Sequence, residues 1–210
     1  MPTTNDKNKT IKNPAKNKSH KFYAIFSRLK LIPRWSLMHN RCQEDVAQHS
    51  HQTAVFAHAL GLIDRTVFNK DTDPGKCAVI ALFHEASEVM TGDMPTPVKY
   101  RNSKMYEAYK EAEKDAAERL LIELPADLEP SIRAAVRPAP CREAVLVKYA
   151  DKIAALVKCV EELRAGNTEF SQAGKAAESL IKSYQDETVE YFMKKFTPAF
   201  SLNLDELMGE

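Results

Sequence analysis

Residues 78–90 read AVIALFHEASEVM, and nine of these thirteen side chains are apolar. Placed at about 100° per residue, the apolar side chains surround a helix almost completely, which predicts that the helix is buried. His84, Glu85 and Glu88 interrupt this apolar surface and fall within one arc of the same helix. Two carboxylates buried side by side cost free energy unless a cation or hydrogen bonds compensate them. The stretch therefore predicts a helical core that contains a polar site.

Besides a metal site, an ion-paired interface or a protease motif could account for the polar side chains of this helix. Glu85 and Glu88 could pair with Lys or Arg at a hydrated helix interface, and the helix by itself leaves that alternative open. The sequence His-Glu-x-x-Glu also invites comparison with the His-Glu-x-x-His motif of zinc proteases, which needs a second histidine at the fifth position. Glu88 occupies that position, so the pattern disfavours a protease.

The whole chain predicts an all-α fold. Only 6 Gly occur in 210 residues, and the long stretches rich in Ala, Leu, Glu and Lys have helical rather than alternating periodicity. This length fits one domain, which we place at residues 21–210. Seven helices are predicted, at about 22–29, 43–64, 75–91, 104–122, 129–136, 142–164 and 168–195.

The first 20 residues differ in composition from the rest. They contain five Lys, four Asn and two Pro with hardly an apolar side chain, so burial cannot offset the entropy lost on ordering. We expect residues 1–20 to be a disordered basic tail. A solubilising extension is favoured over a segment that contacts nucleic acid.

Composition excludes several classes of partner and site. A net charge of +1 provides no global field that would attract nucleic acid or a membrane surface, and no apolar run approaches the length of a membrane span. The four cysteines are widely spaced and form no C-x-x-C pair, so neither a zinc knuckle nor a disulfide framework is predicted. These features favour a protein of the reducing cytoplasm.

Two further helices carry a polar residue on an apolar surface. His49 lies at the centre of an apolar arc of the helix predicted at 43–64, and Asp151 is flanked by apolar residues in the helix predicted at 142–164. A lone core histidine is more often a packing residue than a ligand. Together with His84 and Glu85, however, these residues are most economically explained by convergence on one metal. Imidazole and carboxylate ligands suit a divalent ion such as Co, Mn, Zn, Mg or Fe, among which the sequence does not choose.

The order His49, His84-Glu85, Asp151 resembles the His, His-Asp, Asp signature of HD-domain phosphohydrolases. A narrower resemblance, running from about Phe22 to the C-terminus, is to bacterial 5′-deoxynucleotidases of the YfbR type. It is carried, in the expected order, by SRLKLIPRW at 27–35, EDVAQHS at 44–50, HEASEVMTGDMPTPVKY at 84–100 and KYAD at 148–151.

This resemblance implies a single HD-domain helical fold with a metal site between helices. The implied reaction is the metal-dependent hydrolysis of deoxyribonucleoside 5′-monophosphates to deoxyribonucleoside and phosphate, with little action on ribonucleotides. The implied metal ligands are His49, His84, Glu85 and Asp151. A homodimer is implied as well, although no helix shows a sustained heptad pattern from which a dimer could be derived.

The resemblance also implies roles for the remaining site residues. Glu88 matches the carboxylate that orients or deprotonates the attacking water, and Arg34 matches the arginine that orients the phosphate. Trp35 and Asp93 match residues that read the sugar and exclude a 2′-hydroxyl. The implied lining of the nucleotide pocket also includes Met94, Pro95 and Thr96, with Glu85 and Asp151 contacting substrate as well as metal.

Some of these residues also suit simpler roles. A dipeptide such as Arg34-Trp35 is ordinarily a surface cation beside a core anchor, and Asp93, which follows Gly92, also suits a turn. Position 85 carries Glu where the HD signature has Asp, so this ligand is one methylene longer. We expect Glu85 to ligate nonetheless, because glutamate is a competent metal ligand.

Three other functions remain open for such a chain. The first is an HD-domain dNTP triphosphohydrolase that uses the same centre and releases tripolyphosphate. The second is a non-catalytic nucleotide-binding protein, in which the change at Glu85 has removed the chemistry and kept the binding. The third is a purely helical interaction module, which is disfavoured because it leaves four residues without partners: His49, Glu85, Glu88 and Asp151.

Overall fold

The structure, a computed structural model, describes residues 19–209. Nearly all of the predicted basic tail therefore lies outside the described residues. Within 19–209 the fold is all-α, as predicted, and the one backbone pairing of the β type is an isolated bridge between Pro33 and Asp45. The helices are α1 (Phe22–Phe26), α2 (Val46–Thr66), α3 (Pro74–Phe83), α4 (Glu88–Thr91), α5 (Thr96–Lys99), α6 (Ser103–Leu121), α7 (Glu129–Val136), α8 (Arg142–Arg164), α9 (Ser171–Ser183), α10 (Glu187–Lys195) and α11 (Leu204–Met208). Short 3₁₀ segments lie at Ser27–Leu31, Thr168–Phe170 and Thr197–Ser201.

The main core is formed by α2, α3 and α8, with α9 and α10 packed against it. Leu60, Leu146 and Ile153 are fully buried there. Gly61 permits the close approach of α2 to α3, because a Cβ atom at this position would lie 2.8 Å from the Cα atom of Pro74. Helices α2 and α8 carry His49 and Asp151, and His84 and Glu85 directly follow α3, so the geometry of the site depends on the packing of the core.

A buried salt-bridge network also joins α2 to α8. Asp64 on α2 accepts hydrogen bonds from the Nε and Nη2 of Arg142, at 2.9 and 2.7 Å, and Arg142 also pairs with Asp186. Burial by itself would raise the pKa of Asp64, but the bonds from Arg142 and the neighbouring hydroxyl groups hold it well below its usual value. The network fixes the relative position of two helices that carry candidate ligands.

A second, smaller core supports the segment between α3 and α4. Phe22, Leu120 and Leu121 are fully buried there and pack around Ala86. Helices α1 and α6 thereby hold the segment that carries His84 and Glu85.

The prediction of one continuous helix over 75–91 is wrong. Helix α3 ends at Phe83, residues 84–87 form turns, and α4 begins at Glu88. The imidazole Nδ1 of His84 lies 2.7 Å from the carbonyl oxygen of Ala81, the acceptor that the amide of residue 85 would use in an α-helix. This competing hydrogen bond explains why the helix stops there.

The prediction that this stretch is buried on all sides is also wrong. Val79, Leu82 and Met90 are exposed by 47%, 42% and 43%, so one face of α3 and α4 points outward. A helix with apolar side chains on every side need not be covered on every side, since much of a folded protein's surface is apolar.

Three other predicted helices have different boundaries. The helix predicted at 22–29 is α1 followed by a 3₁₀ segment, and the helix predicted at 43–64 begins only at Val46, because Asp45 caps it by accepting the amide of Gln48. The helix predicted at 168–195 is divided into α9 and α10. Gln185 has a φ of +49° and the side chain of Asp186 starts the next helix by accepting the amide of Thr188.

None of the helices between residues 19 and 209 combines the length and the apolarity needed to cross a membrane.

Candidate metal centre and active site

Four side chains from three parts of the chain meet in the core. His49 lies in the first turn of α2, His84 and Glu85 directly follow α3, and Asp151 is in the middle of α8. Each offers one ligand atom, and these atoms all lie within 4.8 Å of one another. This is the predicted ligand set, and Glu85 places its oxygen in the group although its side chain is longer than that of Asp.

The hydrogen bonds of His84 leave one ring nitrogen free. Its Nδ1 is bonded to the carbonyl of Ala81, which fixes the orientation of the ring. Its Nε2 is buried and has no hydrogen-bond partner among the described residues, and it lies 3.4 Å from the Oε1 of Glu85. A histidine that donates one N–H to a backbone carbonyl and presents the other nitrogen to a cluster of oxygens is typical of a metal ligand.

His49 is fully buried at the centre of the group. Its Nε2 lies 3.0 Å from the Oδ1 of Asp151, and its Nδ1 has no partner among residues 19–209. Burial lowers the pKa of His49, although Asp151 acts in the opposite direction. The imidazole is therefore available in its neutral form, which is the form that binds a metal.

Glu88 lies beside this group and is only 4% exposed. Its Oε2 has no hydrogen-bond partner in the described part of the chain. Burial, reinforced by the charges of Glu85 and Asp93, raises the pKa of Glu88 to about 10. Positive charge is thus deficient at this site, and the unpartnered Nε2 of His84 points to the same conclusion. The residues fit a divalent cation, which would supply the missing charge.

Arg34 is one of the cations that the protein itself provides near the ligand group. Its side chain is 12% exposed, and burial opposes its charge, but the carboxylates of Glu44, Asp151, Glu85 and Asp93 outweigh that effect and raise its pKa. The guanidinium is therefore permanently charged and lies within the field of the acidic cluster. A guanidinium in this position could bind an anionic group beside the candidate ligands.

A cavity of about 680 Å³ opens beside Arg34. Its volume is in the range of small-molecule sites. All six residues predicted for phosphate and nucleoside recognition line it: Arg34, Trp35, Asp93, Met94, Pro95 and Thr96.

Glu85, Glu88 and Asp151 are not among the residues that line this cavity. Lys152, which does line it, joins it to the ligand group through an ion pair of 2.9 Å with the Oδ2 of Asp151. Whether Glu85 and Asp151 also contact substrate remains a prediction.

The loop that carries Asp93 depends on a glycine. Gly92 ends α4 with a φ of +71°, a conformation that residues with a side chain rarely adopt. Its carbonyl accepts a hydrogen bond of 3.3 Å from the hydroxyl of Tyr109 on α6. The conformation of Gly92 and this bond direct residues 93–96 along the cavity, which Asp93 lines. Within residues 19–209 the Asp93 side chain makes no hydrogen bond that would give it a role in the turn.

Sequence reasoning missed the opposite wall of the cavity. That wall is a small apolar face of α9, at Ala173, Ala176, Ala177 and Leu180, together with Leu37 and Met38 after Trp35. The spacing of the α9 residues is that of one helical face and was readable in the sequence. Nothing in that spacing distinguishes a cavity wall from an ordinary core face.

The loop between Trp35 and α2 is held by one buried carboxylate. Glu162 on α8 is fully buried and accepts hydrogen bonds from the amides of Arg41 and Cys42, at 3.0 and 2.9 Å. It also accepts from the Nδ2 of Asn167 at 2.7 Å and from the Nζ of Lys158 at 2.6 Å. Burial opposes ionisation, but these donors lower the pKa of Glu162 to about 2.

Comparison with known proteins settles the family. A family model described as 5′-deoxynucleotidase YfbR-like matches residues 21–200. The chain belongs to this family. It is 45% identical over 193 residues to a 5′-deoxynucleotidase of Enterobacter sp. (strain 638), a match that covers 91% of this chain and 96% of that protein. It is also 45% identical to a 5′-deoxynucleotidase of Yersinia pseudotuberculosis, over 89% of this chain and 95% of that protein.

Solved structures with the same fold include an HD-domain phosphohydrolase from Listeria innocua. It superposes with a TM-score of 0.76 at 25% identity, over 86% of this chain and 88% of that one. A protein from Pyrococcus horikoshii, 18% identical, shares the fold with a TM-score of 0.65 over 86% of this chain and 97% of that one. The predictions of an HD-domain fold and of membership in the YfbR-like family are confirmed.

Proposed function

We propose that this protein is a metal-dependent phosphohydrolase that converts deoxyribonucleoside 5′-monophosphates to deoxyribonucleoside and phosphate, and that it discriminates against ribonucleotides. One observation carries the proposal. A cluster of four candidate metal ligands, of which His49 is buried and the other three are partly buried, lies within the electrostatic reach of Arg34, which borders a cavity of nucleotide size. The relatives that are 45% identical bear the name 5′-deoxynucleotidase, which supports the same substrate class.

We assign the metal to His49, His84, Glu85 and Asp151. When bound there, a divalent ion lowers the pKa of a water molecule and polarises a phosphoryl oxygen. Two imidazoles and two carboxylates suit Mn, Fe, Co or Zn, and Mg is compatible with the carboxylates.

Glu88 is assigned to the attacking water. The pKa of Glu88 is raised in the site without a cation, and the positive charge of a bound divalent ion would lower it again. The unpartnered Oε2 of the ionised carboxylate would then accept a proton as the water oxygen forms a bond to phosphorus. The bond between phosphorus and the 5′-oxygen then breaks, and the same proton can pass to that oxygen to give the 5′-hydroxyl of the product. The balanced reaction consumes one water and needs no further reactant.

Arg34 is assigned to the phosphate. Its Nε donates to Glu44 at 3.1 Å, which leaves the two terminal nitrogens of the guanidinium for phosphoryl oxygens. A planar pair of donors stabilises the charge that these oxygens carry during transfer.

Trp35 and Asp93 are assigned to the sugar. Both line the cavity, and the indole provides a rigid wall against which a 2′-hydroxyl would collide or lose its water. The carboxylate of Asp93 suits a hydrogen bond from the 3′-hydroxyl. A 2′-deoxyribose, whose 2′-carbon bears only hydrogen, would fit against the same wall without this penalty.

The test is a phosphate-release panel. Purified protein, stripped of metal, is assayed with dNMPs, NMPs and dNTPs under added Mn, Co, Mg and Zn. We expect phosphate from dNMPs and little from NMPs, with the Glu88→Gln variant as the inactive control. Release of tripolyphosphate from dNTPs would identify a triphosphohydrolase instead. Tight nucleotide binding with no phosphate release under any of the metals would identify a binding protein.

We also propose a cytoplasmic homodimer. All four cysteines, Cys42, Cys77, Cys141 and Cys159, are free thiols in the structure, which is compatible with a reducing compartment. The dimer rests on the family resemblance, and light scattering of the purified protein at micromolar concentration would test it.

A further inference from the structure

Glu44 joins the two residues assigned to phosphate and sugar. Its Oε2 accepts a hydrogen bond from the Nε of Arg34 at 3.1 Å and another from the Nε1 of Trp35 at 2.9 Å. The Glu44 side chain is 12% exposed, so both bonds lie in a partly buried environment where they are strong. One oxygen atom thus contacts both recognition residues.

The backbone brings Glu44 to this position. The amide of Arg34 donates to the carbonyl of Glu44 at 3.0 Å, and the amide of Val46 donates to the carbonyl of Ile32 at 3.0 Å. These bonds hold the strand-like segments on either side of the isolated bridge against each other. The side chain of Glu44 therefore meets Arg34 and Trp35 over a rigid base.

Trp35 is held in an unfavourable backbone conformation. Its φ is +56°, which is uncommon for a bulky residue and costs free energy that neighbouring contacts must offset. Besides the bond to Glu44, the carbonyl of Trp35 accepts from the Nδ2 of Asn40 at 3.2 Å, and its ring packs on Phe170 at 5.2 Å between centroids. Trp35 is thus held at three points: the indole N–H by Glu44, the ring by Phe170 and the backbone carbonyl by Asn40.

We propose that Glu44 is a positioning residue that sets the orientation of Arg34 and Trp35 together, so that one carboxylate determines both phosphate binding and deoxyribose selectivity. This inference rests on the proposed function. By accepting the hydrogen bond from the Nε of Arg34, Glu44 directs the terminal nitrogens of the guanidinium toward phosphate. By taking the only N–H of the indole, it leaves Trp35 without a donor for a sugar hydroxyl.

The second consequence gives selectivity a chemical basis. A 2′-hydroxyl placed against this indole would lose its hydrogen bonds to water and find no donor on Trp35 in exchange, which is costly in a closed site. A 2′-deoxyribose has no such group to satisfy. Releasing the indole from Glu44 would free its N–H and its orientation, and the distinction between dAMP and AMP would weaken.

The variants at position 44 separate charge from geometry. Glu44→Ala removes both hydrogen bonds, and we expect kcat/KM for dAMP to fall about 10- to 100-fold. The dAMP-to-AMP ratio, which is kcat/KM for dAMP divided by kcat/KM for AMP, should fall as well. Glu44→Gln retains an acceptor oxygen and should recover most of that ratio. Glu44→Asp retains the charge but is too short to reach both donors, so its ratio should resemble that of Glu44→Ala.

Trp35 is the only tryptophan of the chain, so its fluorescence reports on this contact without any assay of activity. In metal-free protein without nucleotide, Glu44→Ala should shift the emission and increase quenching by acrylamide, whereas Glu44→Gln should stay close to the parent. Glu161→Ala is the matched control, because Glu161 is an exposed carboxylate of α8 whose side chain makes no hydrogen bond within residues 19–209.

A cycle with Arg34 completes the test. In an Arg34→Ala background, Glu44→Ala should lower kcat/KM for dAMP by less than about twofold, because Arg34, through which Glu44 acts on the phosphate, is gone. Unchanged quenching and an unchanged dAMP-to-AMP ratio in Glu44→Ala would overturn the inference, as would full additivity in the cycle. If Glu44→Ala does not fold, an unaltered ratio in Glu44→Asp would overturn it equally. A parent protein that releases no phosphate from dAMP would refute the proposed function, and the fluorescence of the variants would then decide the contact separately.

Discussion

Replacement of Glu162 by Gln should destabilise the protein in a way that depends on pH. Glu162 is fully buried and accepts four hydrogen bonds, two of them from the amides of Arg41 and Cys42 in the loop that follows Trp35. Gln has nearly the same shape but no charge, and its amide group would face donors rather than acceptors. The buried ammonium group of Lys158 would also lose the carboxylate with which it pairs.

The magnitude follows from the pKa of Glu162. It is lowered from 4.5 to about 2, and each pKa unit is worth about 1.4 kcal/mol, so ionisation of this side chain contributes about 3 kcal/mol to the free energy of unfolding at pH 7. Because the pKa is lowered on folding, the contribution is complete above pH 4.5 and is lost as the pH falls toward 2. At pH 3 about 1 kcal/mol of it should remain.

The assay is equilibrium unfolding in urea between pH 7 and pH 3, followed by far-UV circular dichroism and by the fluorescence of Trp35. The difference between parent and Glu162→Gln isolates this group, since other carboxylates titrate in both proteins. Glu161→Gln, one position away and exposed, is the control and should change stability by less than about 0.5 kcal/mol. A stability difference that is the same at pH 3 as at pH 7, or that is absent at pH 7, would refute the reasoning.

Four further predictions concern the reaction. Glu88→Gln should retain metal and substrate binding but lower kcat by about 10²- to 10⁴-fold, and near-parental turnover with metal present would remove it as the base. Asp151→Asn should bind metal at least about tenfold more weakly, measured as metal content after dialysis; full metal content would argue against it as a ligand. Arg34→Lys should lower kcat/KM for dAMP about tenfold or more, because an ammonium group cannot replace the planar pair of donors, and equal kinetics would contradict that role. Trp35→Ala should lower the ratio of kcat/KM for dAMP to kcat/KM for AMP about tenfold, whereas an unchanged ratio would rule out steric exclusion of the 2′-hydroxyl by the indole.

The ligand group was predictable because its signal is local. His49 and Asp151 lie on otherwise apolar helical surfaces, and His84 directly follows an apolar helix. The cost of burying such groups implies that they have a common partner. The helices that carry them were also located by periodicity and caps, and the boundaries of α7 and α8 agree with the prediction. Their convergence required only that three helices pack together.

What the sequence did not disclose depends on contacts between distant residues or on rotamers. The end of α3 at Phe83 follows from which way the ring of His84 turns, and periodicity carries no information about that bond. Glu44 and Glu162 look like ordinary charges in a polar loop and on a helix face. Their partners lie 9 to 10 residues away for Glu44, and up to 121 residues away for Glu162, so only the folded chain brings them together.

The wall of the cavity on α9 is built separately from the residues assigned to chemistry. The candidate ligands belong to α2, α8 and the end of α3, whereas Ala173, Ala176 and Ala177 belong to a helix that contributes none of them. Each of these alanines can be replaced by a larger residue, which would change the depth of the cavity without altering the candidate ligands. For protein engineering, larger side chains at these three positions of α9 would make the cavity smaller while leaving the candidate ligands unchanged.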